Sequence, residues 1–366
     1  MSIESKAAVL LENDVIEIQT FPLPLVSHND AVIKVERAGI CGTDVALLHG
    51  TVKYADFPLI LGHEITGEIV EIGKEAASTW NVNLGDRVAV EGVVRCGFCE
   101  HCIIGTYRWC ENIKGYGTLT SAATPPFLWG SYSEYMYVAP GSQVYKIPDG
   151  MSKDVAILLN VVIANAIQWT VRHGNIRLGD VVVIQGCGPL GLACAAVARE
   201  AGAKYIAVTG LGKDARRLEF ALKMGADLTI NVEEEDPVEA LLTATGGRHA
   251  DLVLDITGSE KSLQKSCQLV RVCGTIVNAG VSGDSALSRV PMDTLLMKEI
   301  RLQSVFTNER WAMLRAIDFT VRTNYPFDEI VTHWFPLSDS KNAILAADRD
   351  YKDEDPIKVV ITPNGI

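Results

Sequence analysis

The run VVVIQGCGPLGLACAAVAREAGA, residues 181–203, constrains the fold more than any other part of the chain. A β-branched stretch, three glycines at Gly186, Gly188 and Gly191, and a long Ala-rich stretch spell strand, tight turn and helix in succession. In a G-x-G-x-x-G array the first glycine permits the turn, the second lets a pyrophosphate approach the backbone, and the third lets the helix pack closely. Pro189 and Leu190 complete the array, and all five residues are candidates for contact with a dinucleotide. Val181 to Ala198 is nearly long and apolar enough for a membrane span, but its glycines and Pro189 interrupt it. A nucleotide-binding turn explains the interruptions; a glycine-rich turn that binds nothing is the plainer alternative.

Further β-type runs at 205–209, 228–231, 252–255, 275–279 and 300–305 alternate with helical stretches such as DARRLEFALKMG. This alternation predicts a doubly wound parallel sheet of six strands over residues 161–305, with right-handed crossovers. Upstream, short runs at 7–11, 15–21, 31–35, 65–72, 87–90 and 132–138 are separated by turn residues and show little helical periodicity. They predict a mostly antiparallel, barrel-like domain over residues 1–160. After residue 305, ERWAMLRAIDFTVR and SDSKNAILAADRD read as helices and IKVVIT as a strand. This tail is too short to fold alone, so residues 306–366 are expected to complete the first domain. A length of 366 residues fits two domains of an α/β chain.

A formal net charge of −12, with no run of five basic residues, argues against nucleic acid or an anionic membrane as partner. The N-terminal stretch MSIESKAAVLLENDVIEIQ lacks the basic, apolar and small-residue succession of a secretory signal, so a cytoplasmic location is expected. Nine cysteines in a reducing compartment read as metal ligands or buried thiols.

Four of them, Cys96, Cys99, Cys102 and Cys110, fall within CGFCEHCIIGTYRWC. Four thiolates on so tight a loop suit a closed tetrahedral zinc that contributes to folding. A ferredoxin-type cluster would have a shorter last spacing and a Pro after the fourth cysteine. Upstream, AGICGTDVALLHG and ILGHEITGEIVEIG carry Cys41, His63 and Glu64, a thiolate, an imidazole and a carboxylate, the ligand types of a catalytic zinc with one open position. Taken singly, each has a plain reading as a small buried thiol, a core histidine or a surface charge.

With CGTD at 41–44, GHE at 62–64, GDRV at 85–88, the four-cysteine cluster and GCGPLG at 186–191 in this order, the chain resembles the zinc-containing medium-chain alcohol and polyol dehydrogenases over nearly its whole length. The resemblance implies a GroES-like β-barrel catalytic domain split around a Rossmann domain, and two zinc ions per chain, one catalytic and one structural. By position, Cys41, His63 and Glu64 would bind the catalytic zinc, Thr43 would pass on the substrate proton, and Asp44 would orient His63. Asn165 would lie beside the nicotinamide. The implied reaction is reversible hydride transfer between an alcohol and NAD(P), with zinc lowering the pKa of the hydroxyl. Two other readings stay open: a zinc-independent reductase of the same superfamily, and a non-enzymatic cofactor-binding protein.

Two positions depart from the family pattern. Twenty-five residues before Gly186, where many members carry a further ligand, stands Val161, which binds no metal. The polyol branch holds zinc with Cys, His and the adjacent Glu, so the three present residues suffice on that precedent; a weak or absent catalytic zinc is the competing possibility. Five residues after Cys41 a proton-relay histidine is replaced by Ala46, leaving His49 as a substitute through water or as an exposed loop residue.

The second strand of a dinucleotide fold usually ends in an acid that holds the ribose 2′-hydroxyl of NAD. Gly210 stands there, nineteen residues after Gly191, and Lys213, Arg216 and Arg217 follow. The lost acid and the nearby cations lean toward NADP, although Arg216 and Arg217 equally suit the solvated face of a helix. Tyr54 and Phe57, with Trp129 and Tyr132, are candidates to line a cleft for a bulky apolar or secondary alcohol or ketone, while Trp129 and Tyr132 equally suit packing at the base of the lobe or a subunit contact. A polyol-type zinc shell would favour neighbouring hydroxyls instead. The strand at 300–305 is the expected edge for a homodimer or homotetramer.

Overall fold

The computed structural model describes residues 4–52, 55–281, 289–349, 351 and 355–365. The chain forms two compact units, Met1–Asn160 with Phe327–Ile366, and Val161–Pro326.

The first unit is built on two sheets. The larger has eight strands in the path Val331–Pro336, Lys358–Thr362, Ala31–Gly39, Glu64–Ile72, Arg87–Val94 and Lys114–Gly115. Tyr135–Val138 pairs with the third of these and Ser142–Lys146 with the fifth. A second sheet joins Val15–Pro22, Glu4–Glu12 and Leu59–Ile60. Every pairing is antiparallel except that of the two C-terminal strands. Strand Lys358–Thr362 is buried along its whole length, which places a lysine inside the unit. Trp129 and Tyr132 are buried in this core. The Trp129 ring lies 5.7 Å from that of Tyr116 and 5.2 Å from that of Tyr137. Both residues therefore pack within the lobe, Phe57 packs partly buried against the same core, and Tyr54 lies outside the described residues.

The second unit is one parallel sheet of six strands. From edge to edge it runs Leu228–Asn231, Tyr205–Gly210, Val181–Gln185, Ala250–Asp255, Val270–Asn278 and Arg301–Ser304. Counted in chain order this is 3-2-1-4-5-6, the Rossmann arrangement. Val181–Gln185 is wholly buried, as a central strand covered on both faces must be. Helix Ala215–Lys223 buries Leu218, Phe220 and Ala221 and exposes Arg216, the amphipathic pattern of a helix on a sheet.

Helix Arg310–Arg322 belongs to this second unit, so the chain leaves it after Pro326 and not at the expected residue 305. Side-chain contacts explain the later exit. Arg172 pairs with Glu309 and lies 6.0 Å over the Trp311 ring. Asn308 Nδ2 donates to Asn165 Oδ1 at 3.2 Å, and Tyr325 donates to Glu200 at 3.0 Å. Among the described residues no helix is long and apolar enough to cross a membrane.

Candidate metal and coenzyme sites

The four-cysteine loop folds as its spacing requires. Cys99 precedes the single helical turn Glu100–Ile103, which carries Cys102, and Cys110 follows the turn Tyr107–Trp109. The sulfur of Cys99 lies 3.5 Å from that of Cys102 and 3.9 Å from that of Cys110, and Cys96 lies 3.9 Å from Cys102. A zinc with bonds of about 2.3 Å to four sulfurs sets sulfur separations of about 3.8 Å, so these residues fit the ion. Burial opposes ionisation of Cys96, but backbone N–H groups of Phe98 and Cys99 donate to its sulfur and hold it at about 6. Burial pushes Cys102 up to about 12. His101 Nδ1 faces Thr106 Oγ1 at 3.2 Å and stays outside the sulfur set.

Cys41 caps the helix Gly42–Leu48, and its N–H donates to Asp44 Oδ2 at 2.8 Å. This reach-back from the third helical position satisfies a donor that a helix start would otherwise leave unpaired. The other oxygen of the fully buried Asp44 lies 3.5 Å from His63 Nδ1. Burial opposes charge on His63, but the Asp44 carboxylate and the Cys41 sulfur beside it raise its pKa well above the ordinary value. Thr43 Oγ1 lies 3.9 Å from Cys41 Sγ.

Consecutive residues of an extended segment face opposite sides. His63 accordingly turns to Asp44, while Glu64, which opens the strand Glu64–Ile72, turns beneath Gly39. A Cβ at Gly39 would stand 2.0 Å from Glu64 Oε2, so only glycine leaves room for that carboxylate. There Lys358 Nζ meets it, 2.7 Å from Oε1 and 2.6 Å from Oε2. Lys358 is the residue that the sequence reading missed; its signal is one lysine in the apolar run IKVVIT. Among the described residues the four cysteines are the one set of three or more possible ligands whose donor atoms all lie within 4.8 Å of one another. Cys41, His63 and Glu64 do not gather so closely. His49 is engaged elsewhere, with Nδ1 3.2 Å from Asp14 and Nε2 3.6 Å from Asp348.

In the second unit, Gly186 has φ +108° and follows the strand Val181–Gln185, and Gly188 precedes the helix Pro189–Glu200. A Cβ at Gly191 would stand 1.9 Å from the Gly186 carbonyl oxygen, whereas one at Gly188 would meet nothing within 4 Å. The third glycine thus serves close packing, and the second leaves open the space that a pyrophosphate needs before the helix N-terminus. Asn165 is buried, opens the short helix Asn165–Ile167 and pairs with Asn308. Gly210 ends the strand Tyr205–Gly210, and Lys213 and Arg216 follow in the next turn and helix.

Comparison with known proteins agrees with both units. The family model described as "Alcohol dehydrogenase GroES-like domain" matches residues 27–149, and that described as "Zinc-binding dehydrogenase" matches residues 189–322. A Mycobacterium tuberculosis protein named "Probable alcohol dehydrogenase" is 37% identical over 354 residues, covering 94% of this chain and 95% of that protein. An L-threonine 3-dehydrogenase from a Shewanella species is 31% identical over 324 residues, covering 87% of this chain and 89% of that protein. The crystal structure of an alcohol dehydrogenase from Thermotoga maritima matches with a TM-score of 0.88 at 27% identity, covering 99% of this chain and all of that one. A relative of this identity spanning nearly the whole chain, with both family models in sequence order, shows that the chain belongs to the zinc-containing medium-chain dehydrogenase family and is an oxidoreductase.

Proposed function

We propose that the protein is a zinc-dependent alcohol dehydrogenase that moves a hydride reversibly between a secondary alcohol and NAD(P). The observation that carries this reading is the thiol of Cys41 and the imidazole of His63, backed by the fully buried carboxylate of Asp44. Zinc held by Cys41 and His63 would supply Lewis-acid activation of the alcohol hydroxyl. Asp44 keeps His63 Nδ1 protonated and the ring oriented, which leaves the Nε2 lone pair for a metal. Thr43 takes up the hydroxyl proton and passes it outward. Glu64 is the third donor of this reading, since Val161 offers none, and its pairing with Lys358 must loosen for it to serve.

That pairing is also the observation favouring the second reading, a zinc-independent reductase of the same superfamily. Zinc counting separates the two. Two ions per chain, with turnover lost in Cys41→Ala and His63→Ala, support the dehydrogenase; one ion, with turnover surviving, overturns it.

The coenzyme side of this reading uses the glycine turn and Asn165, with Gly210, Lys213 and Arg216 as the sequence grounds for NADP. Strand Arg301–Ser304 is one of the two edge strands of the six-stranded sheet and exposes Leu302, which supports a homodimer or homotetramer joined there. No disulfide joins the described cysteines, which supports a reducing, cytoplasmic setting for this reading.

A further inference from the structure

The sequence grounds for NADP are a missing acid at Gly210 and three cations after it. The structure changes the weight of both. A Cβ at Gly210 would stand 2.7 Å from Cys187 Sγ, 3.1 Å from Leu218 Cδ2 and 3.2 Å from Asp214 Cβ. Position 210 is therefore glycine because the glycine-turn sulfur and the next helix fill the space, and an acid has no room there whatever the coenzyme.

Carboxylates reach the same turn from two other places. The Leu211 N–H donates to Asp214 Oδ2 at 2.9 Å, and the Gly212 N–H donates to Glu233 Oε2 at 2.7 Å. Glu233 comes from the neighbouring parallel strand, two residues beyond its end at Asn231, and its own N–H is held by Asn231 Oδ1 at 3.1 Å. It begins the acidic run Glu233, Glu234, Glu235 and Asp236. The carboxyl ends of parallel strands are where such folds bind nucleotides, and the end of the second strand is where the adenosine ribose is read.

A 2′-phosphate at that place needs unoccupied backbone N–H donors and cations to neutralise it. Here two consecutive N–H donors of the turn are already taken by carboxylates, which would repel a dianion. Arg217 is turned toward Asp214, 3.9 Å away, and Lys213 and Arg216 are also engaged within the protein. A ribose with free 2′- and 3′-hydroxyls is instead a donor suited to these acceptors.

We infer that Glu233 and Asp214 supply the ribose-reading acid that Gly210 lacks, so that this chain selects NAD over NADP. The inference rests on the dehydrogenase reading, because it assigns a preference to that reading's coenzyme site.

The test is binding of NADH and NADPH to the full-length protein, followed by nicotinamide fluorescence and so independent of turnover. NADH is expected to bind about 100-fold more tightly than NADPH, as a like-charge clash between a 2′-phosphate and these two carboxylates predicts. Glu233→Gln, and separately Asp214→Asn, should narrow that ratio about ten-fold by improving NADPH binding, a change that loss of folding alone would not produce. NADPH binding as tightly as NADH, or a ratio unmoved in both variants, overturns the inference and leaves the dehydrogenase reading intact. Failure to bind either nucleotide overturns both.

Discussion

Lys358 and Glu64, 294 residues apart, form an ion pair in which both side chains are shut from solvent. The ammonium also donates to the Ile40 carbonyl at 2.8 Å, one residue before Cys41. A buried pair of this kind is costly to break from one side, because the remaining charge is left without a partner. Lys358→Met and Glu64→Gln should each destabilise the protein by about 3–5 kcal/mol. The double variant should lose clearly less than the sum, measured by urea unfolding. Strict additivity would show that the two side chains do not act as a pair.

The same pair makes a prediction about metal. With the ammonium gone, a cation bound beside Glu64 offsets its charge, so added zinc should recover stability in Lys358→Met more than in the unaltered protein. Thermal unfolding with and without zinc reads this directly, and equal shifts in the two proteins would count against Glu64 as a donor.

Asp44 acts on His63 from behind, across 3.5 Å. Asp44→Asn keeps the shape and removes the charge that orients the ring. Losing such a partner typically weakens metal affinity about 10–100-fold, and zinc competition with a chromophoric chelator should find a loss in that range. Zinc affinity unchanged by the substitution would remove Asp44 from this role.

The sulfur set at Cys96, Cys99, Cys102 and Cys110 makes a separate claim. Cys102→Ser should remove one zinc per chain and open the segment around residues 96–110 to protease, since a closed four-sulfur site holds its loop by metal binding. Retention of the full zinc count would show that the cluster is not the structural site.

Asp255 sets a pH dependence. Burial raises its pKa, against the opposing hydrogen bonds from Thr257 and Ser262, and its Oδ2 has no partner among the described residues. Protonation is thus easier in the folded protein than in the unfolded chain. The stability it contributes is present below the unfolded carboxyl range and is lost as pH rises through the raised folded value. Asp255→Asn carries no such charge and keeps the acceptor at Oδ1. Its melting temperature relative to the unaltered protein should therefore climb as pH rises from the ordinary carboxyl range, about 4, through the raised folded value. A difference independent of pH would show that Asp255 is accommodated as the anion.

Much of the second unit was legible because its signals are local. The strand at 181–185 lies where the β-branched run places it, and the turn follows from glycine spacing within six residues. The helix at 310–322 was legible as a helix, but its partner was not. An amphipathic pattern says that one face is buried and not against what, and Arg172 and Asn165 claim Glu309 and Asn308 from far upstream. Tyr132 and Trp129 show the same limit, since an aromatic residue suits a cleft and a core equally well until its neighbours are known.

The sequence by itself determined the alternation of strands and helices, the glycine turn and the four-sulfur loop, because each is set by spacings within a few residues of chain. Only the tertiary structure decided what the chemically active groups touch. Glu64 as a metal donor and Gly210 as a mark of NADP are readings that rest on neighbouring residues alone. The fold brings Lys358 to the one from the last strand, and Glu233 to the turn after the other from 21 residues away, with Asp214 beside it. A charge is governed by whatever stands within a few ångströms of it, and sheet pairing chooses those neighbours from distant parts of the chain.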